Sequence, residues 1–144
     1  MDFLKKLFHA PDDESEVDYY REGVDLLKAG RYHEALTSFR LAQRSAPRDL
    51  AIQQQIAITY TRIGMTDEAK KTYEAVLEQE PTAGGAHYGL AFLELREGDR
   101  AAAVEHLRRF LASPPDRPEA ARHVEHARET LARLEDESVE NVSS

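Results

Sequence analysis

Cysteine and tryptophan are both missing from the 144 residues of this sequence. The lack of cysteine excludes disulfides, thiolate nucleophiles and thiolate metal sites, although it leaves the redox compartment open. Long hydrophobic runs are missing as well. No stretch approaches the roughly 20 apolar residues of a membrane-spanning helix, and residues 1–11 have no uninterrupted apolar run of the kind found in secretory signals. We therefore expect a cytoplasmic protein.

Basic side chains are in the minority. The sequence has 19 Lys and Arg against 27 Asp and Glu, which gives a formal net charge of −8 at pH 7. Most of such a surface repels a phosphate backbone, so the composition predicts that nucleic acid is not a partner. Apolar residues make up 41% of the chain, enough for one domain with a continuous core.

What the sequence does contain is a period of 34 residues. Five sets of positions repeat at this spacing: Gly30, Gly64 and Gly98; Ala35, Ala69 and Ala103; Pro47, Pro81 and Pro115; Phe39, Tyr73 and Leu107; and Lys28, Arg62 and Arg96. Each unit shows helical hydrophobic spacing twice. The glycine ends the first helix because it accepts left-handed backbone angles, and the proline ends the second. Repetition of a two-helix unit at this length is typical of a solenoid.

Small residues also recur in the first helix of each unit, at Gly23, Ala57 and Ala91. Their lack of bulk allows two helices to approach closely. It also leaves room for Phe39, or Tyr73 in the next unit, to insert from the partner helix. Generic bundle packing also favours small residues, but it does not require them at a fixed period.

These residues resemble the tetratricopeptide repeat, whose pattern combines small residues, aromatic residues and a late proline. The resemblance covers units 16–49, 50–83 and 84–117, and the third departs from the pattern at Glu94, Leu107 and Phe110. It implies an all-α fold, a right-handed superhelical solenoid of three antiparallel helix pairs. Hydrophobic spacing predicts a capping helix over 118–135, and we expect residues 136–144 to form a disordered acidic tail.

The resemblance also implies that the first helix of each pair lines a concave, peptide-binding groove. Carried over to this chain, the groove residues are Tyr20, Val24, Leu27, Lys28, Gln54, Ile58, Thr61, Arg62, Tyr88, Phe92, Leu95 and Arg96. Val24, Ile58 and Phe92 would form an apolar ridge along the groove. The three basic residues of the period would form a basic row beside it, which suits an amphipathic ligand with carboxylates. Alternatively, those three charges are solvated and only favour the helix dipoles.

Residues 1–15 form a separate segment, an amphipathic stretch followed by an acidic hinge. Its apolar face consists of Phe3, Leu4, Leu7 and Phe8. Lys5 and Lys6 lie opposite, and Pro11 ends the predicted short helix. Three destinations for this face remain open: the protein's own repeats, a second copy in a homodimer, or a membrane surface with the lysines near lipid headgroups.

Motifs for catalysis are absent from the sequence, since it has neither a phosphate-binding loop nor a nucleophile elbow. His123 and His126 share a helix face with Glu119, which is a weak metal-site pattern. A solvated polar face explains them better, so we predict no catalytic residue, no metal and no cofactor.

The sequence therefore favours a protein-interaction module, acting as a scaffold, an adaptor or a chaperone, whose partner is another protein or peptide. The alternative is a membrane-peripheral assembly factor anchored by its N-terminal helix. A third hypothesis is a bacterial secretion chaperone, which the chain resembles in being small, acidic and built of three repeats. The fold alone does not identify the ligand.

Overall fold

The computed structural model describes residues 17–143, and all regular secondary structure in that range is helical. Its seven α-helices are α1 (Tyr19–Lys28), α2 (Tyr32–Ser45), α3 (Leu50–Ile63), α4 (Thr66–Gln79), α5 (Gly84–Glu97), α6 (Arg100–Ala112) and α7 (Ala121–Ser143). A short 3₁₀ turn, Pro118–Ala120, precedes α7. The predicted N-terminal docking face, residues 3–8, lies outside the described residues.

Glycines of the 34-residue period stand at the end of the first helix in every pair, as predicted. Gly30, Gly64 and Gly98 have φ angles of 79°, 93° and 86°, in the left-handed region. Glycine adopts these angles without a steric penalty, so it can reverse the chain into the next helix.

Three of the helices have an aspartate as their N-cap. The carboxylate of Asp18 accepts a hydrogen bond from the backbone N–H of Arg21, and Asp99 does the same for Ala102. Asp49 accepts hydrogen bonds from two backbone N–H groups of α3. These contacts satisfy N–H groups that have no partner within their own helix.

The helices pack in chain order. The pairs α1–α2, α3–α4 and α5–α6 are the three predicted units, and each also packs against the next. The first helices α1, α3 and α5 contact one another along the same side of the stack. One core cluster joins units one and two to Ala86, Leu90 and Leu93 of α5, and a second joins α5 and α6 to α7. The predicted all-α solenoid is confirmed.

The third unit departs from the repeat pattern without losing its packing. Leu107 and Phe110 are both buried in the second core cluster. Glu94 occupies the position of Tyr60 in the preceding unit, and each of these side chains contacts a cation of the unit before its own. Tyr60 accepts a hydrogen bond from Arg40, and Glu94 forms an ion pair with Lys70 at 3.5 Å. Each cation belongs to the second helix of the previous unit, so the link between units is kept.

The expectation of a disordered tail over 136–144 is wrong for the described part, because α7 continues to Ser143. Leu134 is only 5% exposed, which holds the middle of α7 against the second core cluster. Two ion pairs, Arg108–Glu135 at 3.1 Å and Arg100–Glu137, connect α7 to α6. The tail is acidic, but it contains no glycine or proline that would end the helix.

None of the helices within residues 17–143 combines the length and the apolar character needed to cross a bilayer.

Candidate functional site

A concave cavity of about 1010 Å³ lies along the first helices of the three units and ends beside α7. Eight of the twelve predicted groove residues line it: Tyr20, Gln54, Ile58, Thr61, Arg62, Tyr88, Phe92 and Arg96. The repeat spacing brings them together because equivalent positions of α1, α3 and α5 face the same side of the stack.

The other four predicted groove residues do not line the cavity. Val24 and Leu27 pack, half-buried, against the first core cluster, and Leu95 packs against the second. Lys28 is exposed at the end of α1. The apolar ridge is therefore limited to Ile58 and Phe92, and the basic row loses its member in unit one.

Aromatic rings form the wall of the cavity at its α7 end. The ring centroids of Tyr88 and Phe92 lie 4.8 Å apart, and Tyr88 also contacts Phe110 at 5.2 Å. Tyr88 is half-buried, and this burial raises the pKa of its hydroxyl. A wall of this kind offers a large apolar surface with one polar group at its edge.

The two histidines of α7 are exposed, as the predicted polar face requires, and they also contact the aromatic rings of this wall. The His126 ring stacks on Phe92 at 4.6 Å, with 7° between the ring planes. Its Nδ1 atom lies 2.9 Å from the Tyr88 hydroxyl oxygen. His123 meets Tyr88 edge-on at 4.8 Å. The sequence could not show this, because the contacts depend on how α7 lies across α5.

Positive charge dominates the charged lining of the cavity. Arg62, Arg96 and Arg117 line it, whereas Glu119 is the single carboxylate among the described lining residues. All three arginines are exposed, and none forms an ion pair with a carboxylate of residues 17–143. The sequence reasoning missed Arg117 because it follows the third unit, where the period no longer applies.

A histidine pair, in which His87 is buried and His106 half-buried, connects α5 and α6 and is not among the residues lining the cavity. His87 Nε2 lies 2.8 Å from the Pro81 carbonyl oxygen, and its Nδ1 lies 3.1 Å from Nδ1 of His106. The carbonyl can only accept, so His87 donates through Nε2, and His106 then donates to His87. Burial, followed by the neighbouring His87, lowers the pKa of His106. The helical spacing gave no signal for this pair.

Within residues 17–143, no three His, Asp or Glu side chains are grouped closely enough to hold a metal ion.

The family model described as "Tetratricopeptide repeat" matches residues 26–83 and 64–124, more than half of the chain. The curated "TPR repeat-containing protein PA4299" of Pseudomonas aeruginosa is 38% identical over 84 residues. That match covers 58% of this chain and 32% of the relative, so the chain spans about a third of the length of the curated relative.

Among solved structures, the fold is similar to that of SycD, a type III secretion translocator chaperone of Yersinia enterocolitica. The TM-score is 0.75 at 16% identity, covering 83% of each chain. PcrH of Pseudomonas aeruginosa, in complex with the chaperone binding region of PopD, also has a TM-score of 0.75 at 16% identity. That match covers 88% of this chain and 95% of PcrH. At these identities the likeness shows the fold alone.

Proposed function

Because the chain belongs to the tetratricopeptide-repeat family, we propose that it is a protein-interaction module whose concave cavity binds a peptide or an amphipathic helix of another protein. The proposal includes no catalytic step. The molecule would act as a scaffold, an adaptor or a chaperone, and these roles share the same binding event.

The observation that carries the proposal is the pairing of an apolar wall with unpaired cations in one cavity. Ile58 and Phe92 are half-buried and offer apolar surface to a ligand. Arg62 and Arg96 stand beside them without a carboxylate partner among the described residues. A guanidinium group binds carboxylates in a two-pronged geometry, and a large apolar side chain gains free energy by leaving water. A ligand with both features fits this cavity.

The PcrH structure supports the same kind of ligand. PcrH has this fold and was solved with a segment of another protein, the chaperone binding region of PopD. Such a segment is a peptide rather than a folded domain, which agrees with the size of the cavity here. We propose a ligand of that class and leave its source open.

The proposal can be tested by selecting peptides from a phage-displayed library against the intact protein. We expect the selected peptides to combine large apolar residues with Asp or Glu. In the double variant Arg62→Glu/Arg96→Glu, the affinity of a selected peptide should fall at least about tenfold, because charge-assisted hydrogen bonds contribute roughly 1.5–3 kcal/mol each. Both arginines are exposed, so the variant should keep its helical circular dichroism.

Arg44→Glu/Lys71→Glu is the matched control, since it makes the same change of charge and both residues are exposed cations outside the cavity lining. This control variant should bind the peptides as the wild type does. Equal loss in both variants would mean that only the overall charge matters. No loss in either, or no selected peptide at all, would contradict binding in the cavity.

The membrane-peripheral hypothesis depends on residues outside the described range and has no support from the comparisons. It remains a prediction of the sequence.

A further inference from the structure

We propose that the protein's own first 16 residues occupy the concave cavity when no partner is bound, so that a partner has to displace them. This inference rests on the proposed function in one respect, since it takes the cavity to be the binding site. It adds an internal competitor, whose strength would set the apparent affinity for any external peptide.

The position where the described chain begins favours this occupant. Tyr20 lies in the first turn of α1 and lines the cavity. Val17, two residues before the start of α1, is exposed. Val17 is three residues before Tyr20, so the described chain begins close to the cavity lining.

The length of the segment is sufficient. An extended chain spans about 3.3 Å per residue, so residues 9–16 can reach over about 26 Å. Neighbouring packed helices have axes about 8–10 Å apart, which puts α5 roughly 20 Å from α1, with α3 between them. The apolar residues before position 9 can therefore reach the aromatic wall at Tyr88 and Phe92.

The chemistry of the segment matches both features of the cavity. Its apolar residues are Phe3, Leu4, Leu7 and Phe8, and its carboxylates are Asp12, Asp13, Glu14 and Glu16. The apolar residues suit the apolar surface that Ile58 and Phe92 offer in the cavity lining. The carboxylates suit Arg62 and Arg96, which have no carboxylate partner among residues 17–143.

Tethering favours this destination over the other two. A short tether within one chain gives an effective concentration in the millimolar range, far above the concentration of a second copy in dilute solution. A membrane is a weaker competitor, because one short apolar face with two lysines is a marginal anchor and the whole chain is acidic.

Cross-linking in the full-length chain tests the proposal directly, because the natural sequence has no cysteine to interfere. One variant pairs His9→Cys with Thr61→Cys, which lies in the cavity lining. The control pairs His9→Cys with Lys71→Cys, on the exposed face of α4. In dilute protein under mild oxidation, we expect the cavity pair to form an intramolecular disulfide at least about tenfold faster than the control pair.

Equal rates for the two pairs would overturn the proposal. A disulfide-linked dimer as the main product of the cavity pair would also overturn it and would identify a second copy as the occupant. A cavity pair that reacts no faster than the control, in a protein that cosediments with anionic phosphatidylserine vesicles, would point to the membrane instead. Circular dichroism on each variant shows whether the helices have formed.

A second variant separates this proposal from the proposed function. Phe3→Asp/Leu7→Asp should raise the affinity for a phage-selected peptide at least about threefold, whereas Lys5→Ala/Lys6→Ala should leave it unchanged. If selected peptides bind the wild type and the Phe3→Asp/Leu7→Asp variant equally, the internal competitor is excluded and the cavity remains a binding site. If the intramolecular disulfide forms but no peptide binds, the proposed function fails and the internal contact stands.

Discussion

Phe39 occupies the space that a side chain on Gly23 would need. A methyl group at Gly23 would lie 2.6 Å from Cδ1 and Cε1 of the Phe39 ring, and Phe39 is completely buried. Tyr73 has the same relationship with Gly89 across the boundary between units two and three. Close approach of helices in this fold thus depends on glycine at two places where an aromatic ring comes from the neighbouring helix.

Gly23→Ala should destabilise the protein by about 1–2 kcal/mol. Overpacking a filled core typically costs about 1–3 kcal/mol, and the higher helix propensity of alanine returns up to about 1 kcal/mol. Urea denaturation measures the difference. Gly84→Ala is the control, since a methyl there would meet Phe110 no closer than 3.4 Å. If Gly23→Ala is as stable as Gly84→Ala, the Phe39 ring can move aside and the argument from close packing is wrong.

Gly64→Ala should destabilise through the backbone alone. Gly64 has a φ of 93°, and no atom lies within 4 Å of a methyl group placed there, so a clash contributes nothing. A left-handed conformation costs a residue with a Cβ about 1–2 kcal/mol. Gly64→Asn should lose less stability than Gly64→Ala, because asparagine tolerates the left-handed conformation better. Thermal unfolding of the two variants should give that order, and the reverse order would contradict the reason given.

Leu134→Ala should destabilise the protein by about 2–3 kcal/mol, at the low end for a buried leucine because it lies near one end of the molecule. Its position in the second core cluster holds α7 against α6. Val139→Ala is the comparison, since Val139 is 65% exposed and its loss should change stability by less than about 0.5 kcal/mol. Similar effects of the two substitutions in guanidinium titrations would mean that α7 does not dock as described.

Acid should weaken the fold through the His87–His106 pair. The folded state lowers the pKa of His106 below its ordinary value of about 6.5, mainly by burial, so the unfolded chain binds the proton more readily. The contribution of neutral His106 to the free energy of unfolding is fully present above pH 6.5. It is lost as the pH falls from there towards the pKa of His106 in the folded state. Among the nearby charges on the packed helices, Glu94 and Glu105 oppose the lowering of this pKa, whereas Arg109 adds to it.

The measurement for this pair is the free energy of unfolding at pH 7.5, 6.5 and 5.5. The free energy of unfolding should decline less with falling pH in His106→Gln than in the wild type. The difference in slope is at most about 1.4 kcal/mol per pH unit, the limit for one proton. His33→Gln serves as the control, because His33 is exposed on α2. A decline that is unchanged in His106→Gln would show that other groups cause the acid sensitivity.

Much of the fold could be predicted from the sequence because the repeat places the same residue types at the same structural positions. The glycines at 30, 64 and 98 predicted the ends of three helices, and each has the left-handed φ expected of it. Gly23 predicted the insertion of Phe39, and the structure confirms that contact. In both cases the physical requirement is local, so the residue type carries the information.

The candidate site was less predictable, since it depends on contacts that no period encodes. Val24 occupies the position of Ile58, and both side chains pack against the first core cluster, but only Ile58 also lines the cavity. His126 reaches Phe92 only because α7 crosses the end of α5. Arg117 lies after the last repeat, so nothing in the spacing assigned it to the cavity.

The chain-order packing of the helices also has a mechanical consequence. Each pair rests on its neighbours in the sequence, and the described helices make few contacts between units that are distant in the chain. A force applied to the two ends would separate the interfaces α2–α3 and α4–α5 one after another. It would not have to break a single central core. Small changes in angle at each interface would add up along the stack and open or close the concave face. The curvature of the cavity therefore depends on all of these interfaces together.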